Sequence, residues 1–431
     1  MLATKKTRIA IAILLVLLIA ITAVVPVAAQ DDDVVPLTLS IGSRGFGDAA
    51  PILIEQCEQE VGGIEVEWER ISDVPNESRS IYVTNFTARN DKPDIVAVDV
   101  IWPGDFAARD WIAPLDDYFT EEELAEYVPG FLAAAQVEDS TYAIPLYIDG
   151  IHLFYRSDLL EKYDFEPPTT WEELIEQAET IVEGENDPDL VGFVSMWAKI
   201  EGLFMNWLAF FQGAGGTFFD ADGNLAINSD AGLQSLETMT GMLESGLAPE
   251  SVLTFRPDDA RILFQQGRAV FLMVQDFVLA PLTNEEESQV ADSVGFTRVP
   301  YFEGNEDANT TVIGGFLLAV NSNSENVEEA AAFIKCFTSY EAQVTAGLVQ
   351  GKVPTRPAVY EDERIVEESP EVAALGANFV FAFARPSAET GTEYPQVSEI
   401  MQTEVTAALL GVKTPEQALA DAEAQIQAIL P

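Results

Sequence analysis

The side chains able to do chemistry in this 431-residue chain are few and widely spaced. Tyr147 and Asp149 interrupt a mostly apolar run, YAIPLYIDGIHLFYRSDLL over 142–160, which also holds His152, the chain's one histidine. In an extended segment Tyr147 and Asp149 share one face, while Ile144, Leu146 and Ile148 share the other. A carboxylate beside an aromatic ring can accept from two adjacent hydroxyls while the ring offers a flat apolar platform. Asp99 ends a second apolar run, PDIVAVD, where a buried carboxylate without partners would be costly, so polar company at a cleft is expected. His152 stands an odd number of residues from Asp149, faces the other way and is expected to be structural. A Ser-His-acid triad would have to use it, and no nucleophile turn stands nearby. Two distant cysteines and one histidine exclude a cysteine-based metal site. With no phosphate loop either, no cofactor is expected.

The elements that must position these groups follow a regular order. VPLTLSIG alternates as a strand, DAAPILIEQCEQEVGG continues as a helix closed by glycines, and IEVEWERIS and KPDIVAVDVIW are further strands. Strand, helix, strand, helix, strand implies an α/β fold whose parallel sheet is covered on both faces. Ligands in such sheets sit beyond the carboxyl ends of the strands, which directs attention to Arg44–Gly47, Asp99–Asp105 and Tyr147–Asp149. From about residue 167 the pattern changes: Thr170 and Glu173 form a capping-box signature, followed by helices, two apolar strands and two C-terminal helices. At 48% hydrophobic and 10% aromatic residues, the chain can fill two cores. Cys57 and Cys336 lie in amphipathic helical patterns; they could pair after export or stand as two buried thiols.

Residues 1–29 differ in kind. Lys5, Lys6 and Arg8 precede an uncharged run ending Val27-Ala28-Ala29, which marks a secretory signal; an uncleaved anchor is the alternative, since about 20 apolar residues can span a bilayer. Either way the remainder is expected outside the cytoplasm. Without Lys5, Lys6 and Arg8 the chain keeps 19 basic against 72 acidic residues, a net of −53. Nucleic acid is therefore excluded as a partner, and anionic lipid would be repelled.

The ordered motifs PDIVAVDVIWPGDFAARDWIAPLDDY, YAIPLYIDGIHLFYRSDLL, PPTTWEELIEQA, RILFQQGRAVFLM, VIGGFLLAV, VPTRPAVYED, FARPSAETGTEYPQVSEIMQ and TPEQALADAEAQI together resemble the extracellular solute-binding proteins of carbohydrate ABC importers, the maltose and trehalose/maltose-binding group. The resemblance implies a two-lobed periplasmic-binding-protein-like fold, with hinge crossings between the lobes and closure over a ligand. It implies lobe one over 36–146 plus 313–360 and lobe two over 149–308 plus 365–431. The stretch around Pro145 and Gly150 would be a crossing segment, Pro145 stiffening it and Gly150 permitting an unusual backbone angle. Carried over residue by residue, Asp149, Trp102, Asp105 and Arg385 match ligand-contacting positions, and Trp197 and Glu201 lie where an aromatic and a polar contact are placed. Arg44, in the turn GSRGFG, is a weaker match, and Arg356 is expected to be structural. Relatives often carry tryptophan where this chain has Phe277 and Phe316, so the stacking platform is reduced or relocated.

The implied function is capture of a sugar, a disaccharide or oligosaccharide, by a monomer that delivers it to membrane permease subunits and is not an enzyme. A cationic ligand such as a polyamine on the same fold is the alternative. A secreted glycosidase using Asp99 and Asp149 is a more distant one.

Overall fold

In the computed structural model the described residues are 34–72, 75–137 and 140–430; the expected signal at 1–29 and the side chain of Arg44 lie outside the described residues. The strands are β1 (Val35–Gly42), β2 (Ile64–Ile71), β3 (Ile95–Asp99), β4 (Gln136–Val137), β5 (Ser140–Thr141), β6 (Ile144–Arg156), β7 (Val191–Ser195), β8 (Ala269–Gln275), β9 (Val294–Thr297), β10 (Thr311–Val320) and β11 (Ala382–Phe383). The main sheet runs β2-β1-β3-β10-β6-β8-β7, with β11 added to β10 and β9 to β6.

Alternation decides how β1 and β3 are buried. Leu37, Leu39 and Ile41 face one apolar core, together with Ile95 and Ala97, while Val96 and Val98 face a second. β3 is covered on both sides, as a central strand must be. β1 pairs with β2 and β3 in parallel, as the strand-helix order predicts. The sheet as a whole is mixed, because β10 runs antiparallel to both β3 and β6. The all-parallel expectation, read from the first three strands alone, fails where β10 inserts between β3 and β6 and where β6 pairs with β8 and β9.

β6 carries the connection between the two halves of the sheet. It is one 13-residue strand; its first part pairs with β10, its last part with β8 and β9. A strand paired throughout its length needs no break at Gly150, and Gly150 has no positive φ. The expected angular role is therefore corrected to a steric one: a Cβ there would meet Phe379 and Thr311 at 2.8 Å. The glycine that needs its backbone freedom is Gly315 in β10, with φ +118°.

The helices match the sequence pattern at most positions. Thr170 and Glu173 form the capping box at the start of helix Trp171–Glu185. Helix Ala49–Val61 ends at Gly62, and the apolar helix Glu201–Gly213 is almost wholly buried. Cys57 and Cys336 are paired in a disulfide that ties helix Ala49–Val61 to helix Val327–Phe337, closing one of the two alternatives. His152 is buried, with Nδ1 3.0 Å from the Gly150 carbonyl. Arg356 is structural as expected, donating to the Thr338 carbonyl and the Tyr127 hydroxyl.

A side chain at Gly315 would place its Cβ 2.4 Å from the Tyr147 carbonyl oxygen and force a φ that L-residues avoid. Gly315→Ala is expected to lower the free energy of unfolding by about 2 kcal/mol or more, read as a shifted midpoint in urea denaturation.

Candidate functional site

The register of three strands gathers side chains that are far apart in sequence. Phe316 of β10 stands opposite Asp99 of β3 on one side and opposite Tyr147 of β6 on the other. Directly opposed residues share a face. Asp99, Phe316 and Tyr147 therefore form a row, and the next β10–β6 pair on that face is Gly314 with Asp149. At Gly314 a Cβ would meet Asp149 Oδ1 at 2.1 Å, so the glycine makes the space that the carboxylate occupies.

This row lines a cavity of about 360 Å³, within the range of small-molecule sites. Ile41, Gly42, Ser72, Ser78 and Tyr82 line it from the β1–β3 half; Glu201, Met205, Arg256, Gln275 and Phe277 line it from the β7–β8 half, with Lys352 and Arg385 completing the wall. The rings of Tyr147 and Phe316 lie 5.7 Å apart, and Phe46 backs Tyr147 at 6.0 Å. The Lys352 ammonium sits 4.7 Å from the centre of the Tyr147 ring.

Arg385 joins the two walls. Its Nη2 donates to Asp99 Oδ1 and its Nη1 to Glu201 Oε1, both at 3.0 Å. Glu201 also accepts from the Tyr394 hydroxyl at 2.5 Å and from the Ser398 hydroxyl. Burial pushes the Asp99 carboxyl above its usual range, partly offset by Arg385 and the Ile101 N–H. Lys199 does not pair with Glu201 but with Glu399.

Of the expected site residues, Asp99, Tyr147, Asp149, Glu201, Phe277, Phe316 and Arg385 line this one cavity. Three others lie away from it. Trp102 is 4% exposed and packs edge-on behind Phe316 at 6.3 Å, so it supports a lining ring instead of lining the cavity. Asp105 spends both oxygens on Arg79 and Arg109, at 2.5 and 2.7 Å. Trp197 is 1% exposed; its Nε1 donates to Asn206 Oδ1 and its ring packs with Phe193. Sequence reasoning passed over Ser78, Arg256 and Lys352; Gln275 stands beside Phe277 in the segment where relatives often carry tryptophan. Arg256 precedes the helix Pro257–Gln265, and the signal RPDDA is legible as a helix start; no pattern marks Ser78 or Lys352.

Beside the cavity, Asp276 anchors the β6 crossing by accepting from the Gly150 N–H at 3.0 Å. His152 Nδ1 is 3.8 Å from the same carboxylate. Burial, then the Asp149 charge, raises the Asp276 carboxyl well above 3.8, with the Gly150 N–H and Lys352 opposing. Burial lowers the His152 imidazole from 6.5 to about 4, with the Gly150 carbonyl opposing.

A cavity between two halves of a sheet, lined by aromatic rings and hydroxyl-accepting acids, agrees with what comparison finds. The family model for bacterial extracellular solute-binding proteins matches residues 44–344. The chain belongs to that family. A probable ABC transporter-binding protein of Deinococcus radiodurans is 30% identical over 369 residues, 84% of this chain and 86% of that protein. Among solved structures, T. maritima MalE3 with maltose bound is 32% identical with a TM-score of 0.82, covering 92% of this chain and all of that one. A solute-binding protein from Thermotoga lettingae bound with α-D-tagatose is 26% identical with a TM-score of 0.78, again over 92% and 100% of the two chains. These neighbours share the two-lobed architecture. Family members bind small molecules and work with ABC transporters outside the cytoplasm. Among the described residues no helix is long and apolar enough to cross a membrane.

The two titrations beside β6 have opposite signs. Asp276, raised in the folded state, contributes stability that is present below 3.8 and lost as pH rises through its folded value. His152, lowered, contributes stability that is present above 6.5 and lost as pH falls toward about 4. Asp99 titrates with the sign of Asp276 and is common to both proteins compared. Asp276→Asn is therefore expected to make the thermal midpoint climb more steeply between about pH 4 and 6.5 than in the unaltered chain. Parallel profiles for the two proteins would reject the assignment.

Proposed function

We propose that this chain captures a neutral sugar of disaccharide or oligosaccharide size between two lobes and delivers it, as a monomer, to the permease subunits of an ABC importer. Lobe one comprises 36–146 plus 313–360, and lobe two 149–308 plus 365–431. The observation that carries the reading is the row Asp99, Phe316, Tyr147 with Asp149 beside it, on the wall of one cavity. Tyr147 and Phe316 supply ring faces for a pyranose, and Asp149 accepts from its hydroxyls. Phe277 adds a third apolar surface from the opposite wall.

Closure follows from differential contact. A ligand favours the closed state only by what it gains from both walls at once. Arg385, bound to Asp99 and Glu201, already links the walls, so a ligand that touches it meets a lobe-two group that is bonded to lobe one. The neighbours crystallised with maltose and with α-D-tagatose support a sugar of this general class. The chain acts as a binding protein, not an enzyme: Asp99 is engaged by Arg385, which disfavours its use as a free catalytic acid opposite Asp149.

The acids of the cavity favour a second reading, a polyamine. Against it stand Arg256, Lys352 and Arg385 in the same lining. A thermal-shift screen of maltose, other disaccharides, monosaccharides and spermidine separates the two, because a ligand raises the midpoint by mass action. A shift with spermidine that fades with salt, and none with any sugar, would overturn the sugar reading. For the sugar found, Asp149→Asn is expected to weaken binding by about 1 to 3 kcal/mol in calorimetry, through loss of charge-assisted acceptance. An unchanged dissociation constant removes Asp149 from the site.

A further inference from the structure

Gln275 is the last residue of β8, opposite Ile151 of β6, at the point where the chain turns into a short 3-10 helix at Asp276–Val278. Its side chain lines the cavity and is only partly buried. Its amide is poorly satisfied where it stands. Nε2 faces the Met205 sulfur at 3.9 Å, a weak acceptor. Oε1 is buried and has no partner among the described residues. An amide in such a place carries an unmet desolvation cost, and whatever supplies the missing partners gains by removing it.

Among the described residues the Met205 sulfur is the partner that its side-chain amide meets. Met205 lies on one side, and Met196 packs close to Gly202, whose missing side chain leaves room for the sulfur. Gln275 is thus a neutral donor-and-acceptor group on the cavity wall, beside the Met205 sulfur. The terminal torsion of a glutamine is soft, so turning the amide brings Oε1 out to the cavity at little cost.

We propose that Gln275 determines specificity by taking two adjacent hydroxyls of the ligand, one as acceptor through Oε1 and one as donor through Nε2. This rests on the sugar reading above. A hydroxyl both gives and accepts, so a vicinal pair satisfies the whole amide edge. An ammonium group could serve Oε1 but would leave Nε2 on sulfur, and an anion could serve Nε2 alone. The amide thereby selects neutral polyhydroxylated ligands without adding charge to a cavity that already holds Asp99, Asp149, Glu201 and Asp258 against Arg256, Lys352 and Arg385.

The test uses the full chain and maltose, tagatose and mannitol as probes in calorimetry. Gln275→Met keeps the length and the contact with Met205 but removes both hydrogen-bonding atoms; it is expected to weaken binding of whichever probe the unaltered chain takes by about tenfold to a hundredfold. Deoxy analogues of that probe add a readout that packing alone would not move: the loss caused by Gln275→Met should shrink for an analogue lacking one of the two contacted hydroxyls and vanish for one lacking both. Gln275→Glu, which keeps the shape and an acceptor but loses the donor, should show an intermediate loss and guards against a methionine variant that fails to fold. Binding of the probe within twofold of the unaltered chain in both variants overturns the inference and leaves the sugar reading standing. An unaltered chain that takes up none of the three probes, nor any sugar in the thermal screen, overturns the sugar reading and this inference with it.

Discussion

The close approach of β10 to β6 at Gly314 and Gly315 is the constraint on which the site depends. Two side chains cannot be added there: one would run into Asp149 and the other into the Tyr147 carbonyl. Because these glycines let the strands meet, Phe316 stands between Tyr147 and Asp99, and three residues from distant parts of the chain reach one face. The ladder shifts register between Phe316 and Leu317. Such irregularities re-aim side chains near functional sites, and here the shift falls at the ring that the cavity exposes. β6 then continues unbroken into the second half of the sheet, so the strand that positions Asp149 also connects the two walls.

A second constraint is electrostatic. Asp99, Arg385 and Glu201 are held together across the cavity, and removing Arg385 would leave the Asp99 carboxylate without its buried partner. Arg385 is 3% exposed in its side chain and Asp99 10%, so water compensates little. Tyr394 and Ser398, on the helix Tyr394–Leu409, complete the coordination of Glu201. This helix, the next to last in the chain, therefore acts on the cavity through Glu201, although it lies far from β3 in sequence.

Much of this was legible in the sequence. The periodicity of VPLTLSIG, IEVEWERIS and TTVIGGFLLAV corresponds to β1, β2 and β10, and the capping box at Thr170 to a helix start. Parity correctly put Tyr147 and Asp149 on one face and His152 on the other, because alternation is a local property of a strand. What could not be read was anything that depends on register between strands. Nothing local tells that Phe316 opposes Asp99, or that the tryptophan at 102 stands behind that ring. Trp197 and Asp105 illustrate the same limit: an aromatic and an acid at strand and helix ends look ready for a ligand until Asn206, Arg79 and Arg109 take their polar atoms. Gly150 was misjudged for a related reason, since its neighbours Phe379 and Thr311 come from other parts of the chain.

The chain's charge bears on the cavity differently from how it bears on the surface. A net of −50 sets a field that draws cations toward the molecule as a whole. Screening confines that field to within about 8 Å in physiological salt, and within the cavity nearby groups dominate. There the acids Asp99, Asp149, Glu201 and Asp258 share the lining with Arg256, Lys352 and Arg385, so most of the negative charge meets a positive neighbour before a ligand arrives. Asp99 and Glu201 are bound to one guanidinium, and the Lys352 ammonium lies against the Tyr147 ring, one residue pair from Asp149. An acidic protein can thus present a locally balanced pocket, whose polarity is expressed through hydrogen-bond geometry and ring faces instead of net attraction.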